Sequence, residues 1–363
     1  MIFKSLKDFV FQLIAGANFA TILAMAFTGY VDRLNPYSFP ELTNLGLVFP
    51  FFLAINIFFL VFWIFFRKRL IWIPLIGLVV CYQPVRAYLP INLQKKAPED
   101  AIKVLSYNVY LYSTWHDKNE PSEILQYLKK QDADIVCLQE AETDKKGLDK
   151  INSEMSRIYS YRANSYAKNK ADMMTIYSRF TILKQEEIAY DSETNHSTAF
   201  YLKIKNDTVI VINNHLQSIG ISPHDKANFK GVIKGKITGD SIQASTRPIF
   251  AKLNKATQIR APQAEAVVKF MDRHPRSSFI VCGDFNDGPN SFVRRTVAKQ
   301  LRDCYVETGL GPGISYHLGG FYVRIDHIMC STNWIPYACE VDNKIKSSDH
   351  YPIYCWLKKS PKP

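Results

Sequence analysis

Several short signatures are missing from this sequence, and each absence removes a class of chemistry. There is no Gly-x-Ser-x-Gly segment, which excludes a serine nucleophile on a strand-to-helix elbow. There is no Gly-x-x-x-x-Gly-Lys segment, which excludes the phosphate-cradling loop of the nucleotide-binding strand–loop–helix unit. The seven cysteines show none of the paired spacings of a zinc site. Cys81 falls in an apolar run, Cys137 and Cys282 sit in strand-like runs as small core residues, and Cys304, Cys330, Cys339 and Cys355 have no assigned role. No internal repeat is evident. With 47% hydrophobic and 21% charged residues, the chain is neither disordered nor of low complexity.

Charge is scarce at the start. Residues 1–92 hold three acidic residues (Asp8, Asp32, Glu41) against seven basic ones. No charge interrupts Phe9 to Tyr30 or Leu42 to Phe66, and each run exceeds the roughly 20 residues needed to cross a bilayer core. A third run, Leu70 to Val85, has 16 residues and contains Pro74 and Pro84, so it reads either as a span or as a re-entrant segment, with Arg86 placed to snorkel. The first run is longer than a signal-peptide core, and two more apolar runs follow it. The expectation is a membrane anchor of two to three transmembrane helices over residues 1–92, with the lipid bilayer as its partner. The absence of charge inside the first two runs argues against a transporter. Lys4, Lys7 and the Arg67-Lys68-Arg69 turn place the N-terminus and that turn in the cytoplasm. Three spans then put the rest of the chain on the outer face of the cell membrane; two put it in the cytoplasm. Lys95 and Lys96 weigh toward the second case.

Residues 93–100 read as a linker, and 101–363 as a normally charged domain. Apolar runs such as AIKVLSYNVYL, ADIVCLQE, MMTIYSRFTIL, TAFYLKI, TVIVINNHL, SSFIVCGDFND, YVRIDHIMC and YPIYCWL read as strands, while PSEILQYLKKQ and APQAEAVVKFMDRH read as helices. Strand excess with few helices indicates two packed sheets with helices outside.

Polar residues stand where these runs stop: Asn108, Glu140, His215, Asp284, Asn286, Asp326, Asp349 and His350. If the sheets converge, these residues line one cleft. Hard oxygen donors such as Glu140 and Asp349 suit Mg²⁺, with Mn²⁺ or Ca²⁺ as alternatives, rather than zinc. A hard cation offsets phosphoryl charge, a carboxylate orients water, an imidazole protonates a leaving oxygen, and amides hold phosphate without adding negative charge. Metal-assisted phosphoester hydrolysis fits all of them.

The segments SYNV (106–109), LQE (138–140), NNHL (213–216), GDFN (283–286), RIDHI (324–328) and SDHYPI (348–353) resemble, in order, those of the endonuclease/exonuclease/phosphatase superfamily. The resemblance covers residues 101–357 and leaves the apolar segment outside. It implies an α+β fold, a four-layer α/β/β/α sandwich, behind the N-terminal transmembrane segment. It also implies a divalent cation at Asn108 and Glu140, with Asp349 a further acidic group at the site. Asp284 would orient the attacking water, Asn286 contact phosphate, Asp326 pair with His350 on the scissile phosphate, and His215 assist the leaving group. Arg179, in a Ser-Arg segment typical of the family, is a candidate substrate contact. Tyr110 stands where the abasic-site endonucleases carry Asp, and His215 where they carry Tyr, so the resemblance is closer to the deoxyribonuclease, sphingomyelinase and 5-phosphatase branches. Asn214 replaces the usual Thr or Ser before that His.

Residues 226–276 carry eleven basic and three acidic residues, a local net of 11 − 3 = +8. Such an insertion raises the local concentration of polyanions, rests on anionic headgroups, or is a solvated surface. The sequence therefore describes a membrane-anchored, divalent-metal-dependent phosphoester hydrolase, nuclease or phospholipase C-like. Its substrate is nucleic acid, phospholipid or a small phosphodiester, and no protein partner is inferable. The alternative is a non-catalytic membrane scaffold that retains the fold.

Overall fold

The computed structural model describes residues 2–112, 122–170 and 172–360. Helices α1 (Ile2–Gly29) and α3 (Phe49–Phe66) pack side by side, joined by a connector that holds the short α2 (Pro40–Thr43). Stretches Leu6–Arg33 and Pro40–Phe66, of 28 and 27 residues, are long and apolar enough to cross a membrane. Their outer faces leave Phe9, Leu13, Phe19, Phe51, Phe58 and Phe65 exposed. Between the two helices Asn18 donates to Asn56 Oδ1 at 3.1 Å, and Trp63 Nε1 donates to Asn18 Oδ1 at 3.1 Å. Polar side chains in an apolar setting satisfy one another across helices in this way.

The third run forms α4 (Trp72–Val80) and α5 (Tyr82–Tyr88), bent by 72°. Pro84 has no N–H to offer the Val80 carbonyl one turn back. That carbonyl instead accepts from Tyr30 Oη at 2.6 Å, so the break is satisfied from α1's end.

The remainder alternates strands and helices: β1 (Ile102–Asn108), α6 (Ser122–Gln131), β2 (Ile135–Gln139), α7 (Lys145–Met155), β3 (Tyr161–Tyr166), β4 (Met173–Ser178), β5 (Thr181–Glu187), β6 (His196–Ile204) and β7 (Asp207–His215). Then come α8 (Pro223–Ile233), α9 (Asp240–Asp272), β8 (Ser278–Asp284), α10 (Phe292–Ala298), β9 (Leu301–Asp303), α11 (Cys304–Thr308), β10 (Asp326–Ser331), β11 (Trp334–Val341) and β12 (Ile353–Lys359). One sheet has the order β11-β12-β1-β2-β4-β3, the other β5-β6-β7-β8-β10-β9.

Successive residues of the central strands point to opposite faces, and both faces are apolar. Val104, Cys137 and Ile176 meet Val211, Ile280 and Ile328 between the sheets. Leu105, Tyr107 and Leu138 pack under Leu128, Ile151 and Met155 of α6 and α7. Ile210, Ile212 and Val281 pack under Val267 and Phe270 of α9 and Val293 of α10. Three apolar interfaces make the four layers α/β/β/α. All seven cysteines are free and buried; Cys137 and Cys282 are core residues, and the four unassigned ones join the same inter-sheet core.

Two stretches differ from the sequence reading. MMTIYSRFTIL is two strands, β4 and β5, which belong to different sheets, so the chain crosses over at Ser178-Arg179-Phe180. The helix expected from Ala261 begins at Asp240 and runs through Pro248 and Pro262. Proline usually marks a first turn, but here packing against α8 and α10 carries the helix past both. Pro121, ahead of α6, lies outside the described residues.

Each sheet has one parallel pair at its centre, β1 with β2 and β7 with β8. Their C-terminal ends are Asn108, Gln139, His215 and Asp284. The antiparallel neighbours β4, β12, β6 and β10 start at that same end. Eight strand ends therefore form one mouth. Asn214 of β7 lies level with Gly283 of β8, and a Cβ on Gly283 (φ 125°) would sit 2.0 Å from the Asn214 carbonyl oxygen. Gly283→Ala is expected to cost roughly 2–4 kcal/mol, against about 1 kcal/mol for Gly220→Ala, where φ is also positive but no atom lies within 4 Å. Thermal unfolding of the detergent-solubilised protein measures both, and equal losses would count against the close approach.

Candidate active site

Eight of the nine expected site residues meet at this mouth through direct contacts or as lining of one cleft, and one lies elsewhere. Asn108 ends β1; its amide donates to Glu140 Oε1 at 3.1 Å and to Asp284 Oδ2 at 3.2 Å. Glu140 directly follows β2 with φ 50°, and Asn286 follows β8 with φ 51°. Strained left-handed backbone in non-glycine residues gathers at functional sites. Asn286 N–H donates to Asp284 Oδ1 at 2.8 Å, and its side-chain amide donates to the Leu216 carbonyl at 2.9 Å.

Asp284 lies between two imidazoles. His350 Nε2 is 3.6 Å from Asp284 Oδ2, and His215 Nε2 is 3.9 Å from the same oxygen. Each imidazole is held from behind by a carboxylate on Nδ1. Asp326 Oδ2 holds His350 at 2.8 Å, and Asp172 Oδ2 holds His215 at 2.8 Å. The register puts Asp326 opposite Asp284 on β10 and His215 level with Asp284 on β7. Asp349, also buried, lines the same cleft.

The charges follow from this packing. Burial pushes the Asp284 carboxyl up to about 6, with His350 opposing and Asp326 reinforcing the shift. Burial works against a charged His215, but Asp172, then Glu140 and Asp284, outweigh it and hold the imidazole up at about 10. For His350 burial is likewise overcome, by Asp326 first and Asp284 next, so it too stays charged. Asp172 resists burial through His215 and His196 and sits well below the usual carboxylate range.

Asp172 was not among the expected residues. It precedes β4, which runs antiparallel to β2, so the start of β4 is at the mouth. Besides His215 it accepts from the Glu140 N–H at 3.2 Å and faces His196 Nδ1 at 3.4 Å. Its only sequence signal is an acidic residue directly ahead of an apolar run. Ser315 and Ser348 were missed too. Ser315 Oγ accepts from the Asp326 N–H at 3.1 Å, and Ser348 Oγ donates to the Asn108 carbonyl at 2.8 Å while accepting from the His350 N–H at 3.1 Å.

Arg179 is the residue the structure moves away. It follows the C-terminal end of β4, paired with Asp132 and with Asp134 (3.2 Å), at the opposite end of the sheet. The five residues of β2 lie between its level and Glu140, a separation of about 20 Å at strand rise. Antiparallel pairing reverses which end of a strand reaches the mouth, and here it places Arg179 at the end away from the mouth.

The basic insertion forms α8 and α9. Lys226 hangs over the Tyr316 ring at 5.7 Å beside the cleft. Lys252 pairs with Asp225 at 2.5 Å, and the buried Arg260 bonds Asp287 at 3.3 Å and the Gln217 carbonyl at 3.1 Å. Several of its cations are therefore structural.

A four-layer sandwich with carboxylates, amides and imidazoles gathered at one end defines the class. Residues 105–350 match the family model of the Endonuclease/Exonuclease/phosphatase family, and the chain belongs to that family. Residues 11–88 match a second family model, a domain of unknown function. The fold is similar to an endonuclease/exonuclease/phosphatase family protein from Bacteroides thetaiotaomicron, at 17% identity and TM-score 0.50 over 72% of this chain and 98% of that one. It is similar to D. rerio TDP2 complexed with a single-strand DNA product, at 14% identity and TM-score 0.51 over 72% and 100%. It is also similar to the human nocturnin catalytic domain with bound sulfate, at 14% identity and TM-score 0.51 over 74% and 96%. No curated protein matches the chain in sequence.

Because Asp172 fixes the orientation and charge of His215, Asp172→Asn is expected to lower phosphodiester turnover roughly 100-fold. Arg179→Ala is expected to stay within about twofold, as a surface ion pair does. Steady-state kinetics on bis-p-nitrophenyl phosphate compare the two, and the reverse order would refute this placement.

Proposed function

We propose that the protein is a membrane-anchored, divalent-metal-dependent phosphoester hydrolase, with residues 1–92 as anchor, 93–100 as linker and 101–363 as catalytic domain. The carrying observation is that two carboxylate-held imidazoles face one buried carboxylate from either side, at 3.6 and 3.9 Å. A bland turn or cap needs no such alternation.

The donors fit a hard cation. Asp172, Asp284 and Asp326 against protonated His215 and His350 sum to 2 − 3 = −1, and Glu140 and Asp349 bring the cleft to −3. Asp326 Oδ1 is buried with no hydrogen-bond partner among the described residues. Asp284, Asp326 and His350 also offer ligand atoms within 4.8 Å of one another. His350 and Asp326 are already engaged with each other through Nδ1 and Oδ2, so Glu140, with Asn108 and Asp349, is the set that would hold Mg²⁺ or Mn²⁺. Bound there, the ion withdraws charge from a phosphoryl oxygen.

The chain's own groups supply the rest. His350, charged through Asp326, contacts the phosphate. Asp284 orients water and takes its proton as the water oxygen bonds phosphorus. His215 Nε2 is buried with no hydrogen-bond partner among the described residues, and it gives its proton to the departing ester oxygen. The bond to the leaving oxygen breaks, releasing an alcohol and a phosphomonoester. Asn286, pinned to Leu216, contacts a phosphate oxygen. The single-strand DNA product in TDP2 and the sulfate in nocturnin are anions on the same fold and support a phosphate-ester substrate.

Contacts among the helices support the proposed topology. Arg67 pairs with Asp8 at 2.7 Å at one end of the helical segment. At the other end Gly29 meets Phe49 and Pro84, and Arg33 bonds Gln83 at 3.0 Å. The third run thus starts beside the Arg67 end and finishes at the connector's end, which supports three crossings. With Arg67-Lys68-Arg69 in the cytoplasm, the catalytic domain faces outward.

Two experiments test this reading. Purified full chain is expected to hydrolyse bis-p-nitrophenyl phosphate with Mg²⁺ or Mn²⁺, to lose activity in EDTA, and to fall about 1,000-fold or more on Asp284→Ala or His350→Ala. Equal inactivity of wild type and both variants would favour the scaffold alternative. Protease added to intact cells should cleave after residue 92; full protection beside a cleaved external control would reverse the orientation.

A further inference from the structure

The cleft beside Asp284 is about 220 Å³, and its walls are unlike its floor. The floor is the polar group just described. Ile219, Ile221, Leu253 and Phe321 are apolar lining residues, and Leu47 lines the cleft with them. Leu47 belongs not to the catalytic domain but to the connector, two residues before α3 begins at Phe49. It is 45% exposed, as is its neighbour Val48 at 43%. Asn44 of the connector, also at the cleft, donates to Asn254 Oδ1 at 2.8 Å and accepts from Thr257 Oγ1 at 2.9 Å. One turn before Asn254 on α9, Phe250 is exposed. An apolar path therefore leads from the buried carboxylates to the first turn of an apolar, membrane-length helix.

We propose, resting on the hydrolase reading above, that the substrate is a phospholipid of the adjoining leaflet. Its phosphodiester reaches Asp284, His215 and His350, and its apolar part lies along Leu47 and the Ile219–Ile221 wall. A single strand of nucleic acid needs a cationic groove with free aromatic faces. Among the described residues lining the cleft, the lysine and arginine are Lys226 and Arg260, Arg260 is occupied by Asp287, and Phe321 stacks on Phe229 at 4.3 Å. On α8, exposed Ile233 stands among exposed Lys230 and Lys234, the apolar-plus-cationic composition of a helix resting on anionic headgroups.

The test uses the full chain in nanodiscs with Mg²⁺. Three substrates are compared: phospholipid in the disc, bis-p-nitrophenyl phosphate, and a single-stranded oligonucleotide. Expected are phospholipid turnover and no oligonucleotide cleavage. Leu47→Asp is expected to lower the phospholipid-to-soluble ratio of kcat/KM about tenfold or more, and Leu47→Met to restore it. Soluble-substrate turnover with oligonucleotide cleavage and intact phospholipid would overturn the lipid assignment alone. So would a Leu47→Asp ratio no lower than that of Leu47→Met. Silence on all three substrates would instead overturn the hydrolase reading beneath it.

Discussion

Asp284 is a carboxylate placed where burial disfavours its charge, and much of the domain is arranged around keeping that charge available. A buried charge is tolerated only when paired and hydrogen-bonded. Asp284 receives the Asn286 N–H, the Asn108 amide and the edges of two imidazoles. Each imidazole then needs a carboxylate of its own, and the result is an alternating line: Asp172, His215, Asp284, His350, Asp326. The line crosses between sheets three times. His215, Asp284 and Asp326 come from one sheet, whereas Asp172 and His350 precede strands of the other. Neither sheet alone presents more than part of it, so the inter-sheet core of Val104, Val211, Ile280 and their neighbours fixes the charge geometry as well as the fold.

That dependence explains what was readable in the sequence. Asn108, Glu140, His215 and Asp284 stand out because each ends or directly follows a strand of a parallel pair, where an all-apolar run gives way to one polar residue. Two-faced burial makes the run unbroken and its end conspicuous. Asp172 and Arg179 flank the same strand, and nothing in MMTIYS states its direction. Antiparallel pairing with β2 turns its first residue toward the mouth and its last away. The residue that looked like a phosphate contact is therefore a remote ion pair, and the unremarked acid orients His215. Direction is a tertiary property of a strand, invisible to composition and periodicity. Ser315 and Ser348 were hidden for a related reason: each acts through its hydroxyl on backbone groups that only the folded chain brings close.

The apolar start of the chain was legible as helices long enough to cross a membrane, but its relation to the four-layer domain was not. Residues 93–100 have the composition of a free linker. Yet Asn92 donates to the Val306 and Gly309 carbonyls at 3.1 and 2.8 Å, and Asp100 pairs with Lys358 at 2.9 Å. The segment is tied at both ends. Further ties come from Asp32 to Arg295 at 3.4 Å, from the Ala87 carbonyl to the buried Arg324, and from Gly46, where a Cβ would stand 2.6 Å from the Asn290 carbonyl.

Such contacts fix the N-terminal helices to the four-layer domain. A domain on a slack tether rotates and meets solutes from every side, so its cleft has no fixed relation to the bilayer. Here the connector itself forms one lip of the cleft, and the loop after Asp287 packs on Gly46 while Asp287 fixes Arg260 behind the site. The same few residues set the height of the helices, the position of the lip and the support of the charged floor. A substitution in the connector therefore acts on the shape of the cleft as well as on the packing of the N-terminal helices, which are part of the site's architecture.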